Sequence, residues 1–204
     1  MLKKISSFFS KKNQTKIIIL FGIFWILLQI IMTVKPFGLE QINAISPGTK
    51  ILELQFNYSQ ENAHRTLGQL GEVGREAYFN FILIDFIFII FCAGFFTFCI
   101  RALAFFFKID KKIIGKVWLL PLICGFLDIF ENIFNLVQIA SYPDVTFSIY
   151  TISNIITMCK YVIALSYDGI TVIGFVIFLT IILKNKITKS NKNLVRCAQE
   201  NECA

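Results

Sequence analysis

Charged residues and histidine are scarce in this sequence. Asp, Glu, Lys and Arg together make up 16% of the chain, and there is a single histidine, whereas charged residues alone reach about 25% in an ordinary soluble domain. The motifs Gly-x-Ser-x-Gly, His-Glu-x-x-His and the P-loop are missing, so nucleophilic, zinc-peptidase and nucleotide chemistry are not expected. The histidine and the six cysteines show no recognised ligand spacing, which disfavours a zinc or iron site.

Apolar residues are correspondingly abundant. They make up 56% of the 204 residues, and the chain contains 23 phenylalanines. The mean hydropathy is +0.68, which is far above that of a soluble domain, whose apolar share is about 45–50% with Gly included. The composition predicts an all-α, polytopic membrane helix bundle that forms one unit without internal repeats.

Four segments are long enough to cross a bilayer, because about 20 apolar residues in a helix span the ~30 Å hydrocarbon core. The predicted spans are 17–34, 79–107, 117–140 and 161–183. The segments 35–78 and 141–160 would lie on the outer side with short amphipathic helices, while 1–16 and 184–204 form basic tails on the other side.

The last apolar region allows two interpretations. A continuous helix from Thr146 to Leu183 would be about 57 Å long, which is more than one span needs. Lys160 and Tyr161 are residues typical of a membrane interface. We therefore predict a span from Tyr161 to Leu183, preceded by a helical segment, Thr146 to Lys160, that lies on or just above the membrane. One long tilted helix is the alternative.

The distribution of Lys and Arg predicts the orientation. Fifteen of the twenty basic residues lie on the side of the two termini: Lys3, Lys4, Lys11, Lys12, Lys16, Arg101, Lys108, Lys111, Lys112, Lys116, Lys184, Lys186, Lys189, Lys192 and Arg196. The other five are Lys35, Lys50, Arg65, Arg75 and Lys160. By the positive-inside rule both termini are cytoplasmic, which an even number of spans requires. The net charge of +7 therefore indicates a lipid bilayer as partner and not nucleic acid.

The third span carries a polar stripe. Residues three, four and seven apart share one face of a helix, and that face holds Asp128, Glu131, Asn132, Asn135 and Gln138. A carboxylate at mid-membrane costs about 2.5–3.5 kcal/mol on insertion scales. The stripe is therefore expected to face protein or water and not lipid.

Acidic residues in two other spans are predicted to meet this stripe. Measured from the outer boundaries of their spans, Asp85 and Asp168 lie at about the depth of Glu131 and Asn132, some 9 to 14 Å below the boundary. Arg75 and Lys160 would stand above them, where they could hold a phosphate or carboxylate at the rim. For these two basic residues the alternatives are interfacial anchors or ion-pair partners. The candidate ligand-binding residues are Asp85, Asp128, Glu131, Asn132, Asp168, Arg75 and Lys160.

A short amphipathic helix is predicted before the second span. Ser59 is a suitable N-cap, and Ala63, Leu67 and Leu70 follow at helical spacing. Gly71 and Gly74 indicate a bend or a close backbone approach just before Arg75.

Several functions fit a cluster of acids in a low dielectric, because such acids must share protons or find a positive partner. We expect a buried site that binds or processes a small or lipid-like ligand. A small transporter, a proton- or cation-coupling subunit and a membrane assembly protein are the alternatives, and polar helix packing explains the amides without any ligand. No resident cofactor is expected, although a hard divalent cation would suit oxygen ligands.

The local motifs resemble those of an uncharacterised family of small four-span membrane proteins. The motifs are YSQENAHRTLGQLGEVGREAY, LIDF, LPLICGFLDIFENIF and SYPD, between Tyr58 and Lys160. The shared pattern is a Gly-x-x-Gly-Arg approach, an acid in span two and an Asp-x-x-Glu-Asn in span three. In this sequence it corresponds to Gly71, Gly74, Arg75, Asp85, Asp128, Glu131 and Asn132. The resemblance implies the four-span fold and no particular activity.

Overall fold

The computed structural model describes residues 11–109 and 116–202, with side chains for 14–109 and 116–188, and within these ranges it contains helices and no strand. The helices are α1 (Lys11–Thr33), α2 (Leu39–Ile45), α3 (Gln60–Phe106), α4 (Leu120–Ser141) and α5 (Phe147–Glu202), with a 3-10 turn at Leu52–Leu54. The all-α prediction is confirmed. The basic residues predicted in 1–10 and 110–115 lie outside the described residues, as does the end of the tail.

Four helices are long and apolar enough to cross a membrane, by length and composition: Gln14–Thr33, Gln60–Phe106, Leu120–Ser141 and Phe147–Thr188. Each predicted span falls on a different one of them. Their outward faces expose large apolar side chains, such as Leu165 and Val172, which are 69% and 62% exposed. A soluble protein rarely exposes apolar patches of more than a few hundred Å², so the structure supports a multi-pass membrane protein.

The long helices alternate in direction. We call the end that carries α2 and the 3-10 turn the loop end, and the end at which α1 begins the tail end. Trp25 of α1 stacks on Phe95 of α3 at 5.1 Å between ring centroids. Nearer the tail end, Phe106 of α3 contacts Phe178 of α5 at 4.7 Å.

Helix α3 is longer than a span because the predicted amphipathic helix continues directly into the second span. The Ser59 side chain accepts a hydrogen bond from the Asn62 backbone N–H at 3.1 Å, which confirms the predicted N-cap. Gly71 interrupts the helical conformation with φ 63° and ψ −173°. This combination is almost restricted to glycine, and it confirms the predicted bend.

Helix α5 is continuous from Phe147 to Glu202. This agrees with the alternative of one long helix, and the segment from Phe147 to Lys160 forms its first turns. The physical reason is that this stretch contains no proline, and its two glycines, at 169 and 174, come after Lys160. A Lys and a Tyr are typical of an interface, but neither residue ends a helix.

The connection between α1 and α3 packs over the loop end of the bundle. Ile42, Ile51 and Leu52 are buried there against Tyr78 and Ile82 of α3. Hydrogen bonds fasten this connection to α5: the Tyr58 hydroxyl donates to Ser153 Oγ at 2.9 Å, the Tyr58 backbone N–H donates to Asn154 Oδ1 at 3.0 Å, and the Tyr161 hydroxyl donates to the Glu53 carbonyl at 2.9 Å. These bonds hold Glu53 over the interior of the bundle.

Candidate functional site

The polar stripe of α4 faces the inside of the bundle. Glu131, Asn132, Asn135 and Gln138 are completely buried, and Asp128 is half-buried. The opposite face of α4 exposes apolar side chains: Phe126, Phe130, Ile133 and Val137. The prediction that the stripe faces protein is confirmed by this division.

Lys160 lies between two carboxylates of the stripe. Its Nζ is 2.9 Å from Asp128 Oδ1, and it also forms an ion pair with Glu131. Thr157, one turn earlier on α5, donates to Glu131 Oε1 at 2.8 Å. The Lys160 side chain is 14% exposed, so the ion-pair alternative describes it better than a basic group at the rim.

Asp85 of α3 reaches the same cluster from the other side. Its Oδ2 accepts a hydrogen bond from Asn132 Nδ2 at 2.7 Å, and both residues are buried. The two acidic motifs of the second and third predicted spans therefore meet in the structure, as their depths predicted.

Glu53 is a fourth carboxylate at the cluster, and the sequence interpretation missed it. It lies in the 3-10 turn with 8% of its surface exposed, and its Oε1 has no hydrogen-bond partner. Burial raises the pKa of the Glu53 carboxyl well above its usual range, and the charge of Asp85 raises it further while Lys160 lowers it. The only signal in the sequence was a single acid among the apolar residues of ILEL, which is a pattern without a helical period.

Asp168 and Arg75 lie apart from these groups. Asp168 comes eight residues after Lys160, about 12 Å farther along α5 towards the tail end. It was expected at the level of Glu131 because the span was assumed to begin at Tyr161. Arg75 donates to the Leu67 carbonyl at 3.1 Å and lies 4.5 Å from the centre of the Tyr142 ring. Arg75 therefore stabilises the bend of α3 and does not contact the acids.

An uncharged polar network continues from the acids towards the loop end. Asn135 Oδ1 accepts hydrogen bonds from Ser153 Oγ at 3.3 Å and from Gln138 Nε2 at 3.4 Å. The Tyr58 hydroxyl donates to the same Ser153 Oγ. Burial raises the pKa of Tyr58, so this hydroxyl keeps its proton and remains a donor.

Several buried polar atoms of the site have unused hydrogen-bonding capacity. Besides Glu53 Oε1, they are Asn132 Oδ1, Asn135 Nδ2, Gln138 Oε1 and the hydroxyls of Tyr78 and Tyr150. A buried polar atom without a partner typically costs about 1–3 kcal/mol. Most native proteins contain only a few such atoms per 100 residues, and here six of them lie around one cluster. The arrangement is suited to a ligand that offers hydrogen-bond donors, because three of the six are carbonyl or carboxyl oxygens.

The residues do not form an evident metal site. In the part of the chain whose side chains are described, no three His, Cys, Asp or Glu residues are grouped so that they could hold a metal ion. The Lys160 ammonium already lies between Asp128 and Glu131. The hard divalent cation considered from the sequence stays a prediction.

Comparisons with protein-family models, curated proteins and solved structures found no match for this chain. The resemblance to an uncharacterised four-span family thus stays a prediction. Function has to be argued from the chemistry of the site, since a helical bundle by itself implies no activity.

Proposed function

We propose that this chain is a membrane protein that binds a small or lipid-like ligand through its polar head at the buried acidic site. The acidic site comprises Glu53, Asp85, Asp128, Glu131, Asn132 and Lys160. The observation that carries the proposal is the imbalance of charge: the cluster holds four carboxylates and one ammonium, which forms ion pairs with two of them, and most of these side chains are buried. An isolated buried charge is costly, so the excess acids require protons or a positive group.

The chemistry of the site favours a ligand head that is cationic or rich in hydrogen-bond donors. The unpartnered oxygens of Glu53 and Asn132 accept hydrogen bonds, and the surrounding charge attracts a positive group. An anionic head is disfavoured, because Lys160 is engaged by two carboxylates and Arg75 lies elsewhere. An apolar body on the ligand would suit entry from the bilayer.

The proposed topology places both termini in the cytoplasm and the acidic site in the outer half of the bundle. The unequal distribution of Lys and Arg supports this orientation. With the loop end outside, the position of the acidic site beneath the connection that covers this end supports its assignment to the outer half. A single cysteine introduced at Gln60 or at Lys186 in a cysteine-free variant tests it. In intact cells an impermeant maleimide should label the first and not the second, and the reverse result would invert the topology.

The binding proposal is tested with three amphiphiles of equal chain length that carry an amine, a hydroxyl or a carboxylate. We expect the amine to raise the unfolding temperature of the purified protein most and the carboxylate least. Asp85→Asn and Glu131→Gln should reduce the shift, whereas Glu61→Gln, which changes an exposed acid outside the site, should leave it unchanged. Equal shifts in the site variants and in Glu61→Gln would rule out binding at the acidic site.

Proton- or cation-coupled transport is a second candidate, favoured by the same excess of carboxylates between helices. Proteoliposomes with an imposed pH gradient should then show a flux that Glu131→Gln abolishes, and an unchanged gradient would exclude this role. An assembly role has weaker support, because α3 and α5 of the same chain already contact the polar stripe.

A further inference from the structure

We propose a second binding site at the tail end of the bundle, where a groove between α1, α3 and α5 holds a phospholipid with an anionic head group. Two adjoining cavities of about 470 Å³ and 750 Å³ form the groove. They share four lining residues: Ile18, Ala102, Phe106 and Phe178. The groove lies far along α5 from the acidic site, so this inference does not depend on ligand binding there.

The first cavity is suited to an acyl chain. Its walls are formed by apolar side chains such as Leu103, Phe175 and Val176. The Thr171 hydroxyl also lines it but is already bonded to the Tyr167 carbonyl at 2.7 Å. A ligand segment in this cavity therefore meets almost no hydrogen-bonding group, which favours hydrocarbon over any polar molecule.

The second cavity is suited to an anionic head group. Gln14, Thr15 and Lys108 contribute polar atoms to its lining, and Lys108 is the one charged residue among the described residues that line it. A phosphate or other anion therefore meets a complementary charge here.

The order of the apolar cavity and the basic cavity along one groove indicates which molecule fits it. An apolar cavity passes, across the shared Ala102 and Phe106, into a cavity with a basic side chain. This order of an apolar cavity followed by a basic one matches a phospholipid, whose hydrocarbon chain is joined to a charged head. It matches less well a second copy of this chain, whose exposed helix faces are apolar along most of their length. The predicted orientation puts the groove at the cytoplasmic leaflet, which carries the anionic lipids.

Native mass spectrometry of the full chain, released from nanodiscs of equal parts phosphatidylglycerol and phosphatidylcholine, tests this proposal. We expect preferential retention of phosphatidylglycerol. Lys108→Gln should reduce the preference about five-fold, which is the expected effect of one basic residue near a membrane surface. Lys184→Gln is the matched control, since Lys184 lies on the same predicted side but outside the groove, and it should keep the preference.

A photoreactive phosphatidylglycerol with a diazirine in its acyl chain locates the lipid. Cross-links should map to Cys99, Leu103 or Phe175, and Ala102→Trp should remove them by filling the junction of the two cavities. If Ala102→Trp does not fold, Lys108→Glu serves instead, because it reverses the charge and leaves the apolar wall intact. Equal retention of both lipids, cross-links spread over all exposed helix faces, or cross-links between two copies of the chain would each overturn the proposal.

Discussion

Lys160 of α5 and Asp128 of α4 form an ion pair, 2.9 Å long, inside the bundle. The two helices are also joined by the hydrogen bonds from Thr157 to Glu131 and from Ser153 to Asn135, and the additional ion pair to Glu131 holds the same ammonium. In a low dielectric the two acids stabilise Lys160, and Lys160 in turn makes it possible to bury them. The pair is therefore expected to contribute to the stability of the bundle as well as to the site.

Replacing Lys160 by Met should destabilise the protein strongly. Removal of one partner from a buried ion pair typically costs about 3–5 kcal/mol, because the remaining charges lose their compensation. Arg65→Met is the matched control, because it breaks an exposed pair with Glu61 that is worth at most about 1 kcal/mol. Equilibrium unfolding in mixed micelles measures both losses. Losses of equal size would show that the Lys160 ion pairs contribute no more than a surface pair.

Asp85 and Asn132 provide a second test, by exchange of their side chains. Asn132→Asp places two carboxylates at the position of the present 2.7 Å hydrogen bond, so the free energy of unfolding should fall by about 2–3 kcal/mol. The exchange variant, Asp85→Asn with Asn132→Asp, restores one amide and one acid and should recover most of the loss. A double-mutant cycle then gives a coupling above about 1 kcal/mol, whereas additive losses would mean that the two side chains do not interact.

Helical periodicity and depth in the membrane determine much of the acidic site. The stripe of α4 was predictable because helical spacing fixes the face on which Glu131 and Asn135 lie. Asp85 was placed correctly because its depth depends only on a span boundary near Phe79. Gly71 was recognised because two glycines, Gly71 and Gly74, just before Arg75 indicate a bend or a close backbone approach.

The errors concern positions that periodicity does not determine. The predicted depth of Asp168 in the membrane depended on where the fourth span begins. In a continuous helix without proline or glycine at that point, no residue marks the start of the span. Lys160 resembled an interfacial residue, since its acidic partners are about 30 positions away in the sequence. Glu53 was missed because a 3-10 turn has no recurring pattern, and its burial results from the packing of the whole connection over α3 and α5.

Glu53→Gln should change how stability depends on pH. The pKa of Glu53 is raised in the folded protein, so the folded state holds the proton more tightly than the unfolded chain does. The stabilisation from the proton is complete below the ordinary pKa of about 4.5, and it is lost as the pH rises through the folded pKa. Glutamine resembles the protonated carboxyl in shape and does not ionise.

We therefore expect wild type and Glu53→Gln to have similar unfolding temperatures near pH 4.5 and the variant to become the more stable one as the pH increases. Glu61→Gln, at an exposed position, is the control and should follow wild type throughout. Parallel curves for wild type and Glu53→Gln would contradict a raised pKa at this position.

Gly71 and Gly169 form a matched pair for testing the bend of α3. A Cβ added at either glycine meets no atom within 4 Å, but Gly71 has a φ of +63° and Gly169 lies inside the continuous helix α5. Gly71→Ala should therefore cost about 1–3 kcal/mol through backbone strain alone, whereas Gly169→Ala should be neutral or stabilise the protein by up to about 1 kcal/mol through helix propensity. Unfolding titrations of both variants under one set of conditions give the difference. If Gly71→Ala changed the free energy of unfolding by the same amount as Gly169→Ala, the bend would not require a residue that tolerates positive φ. The position of Arg75 over Tyr142 would then need another cause.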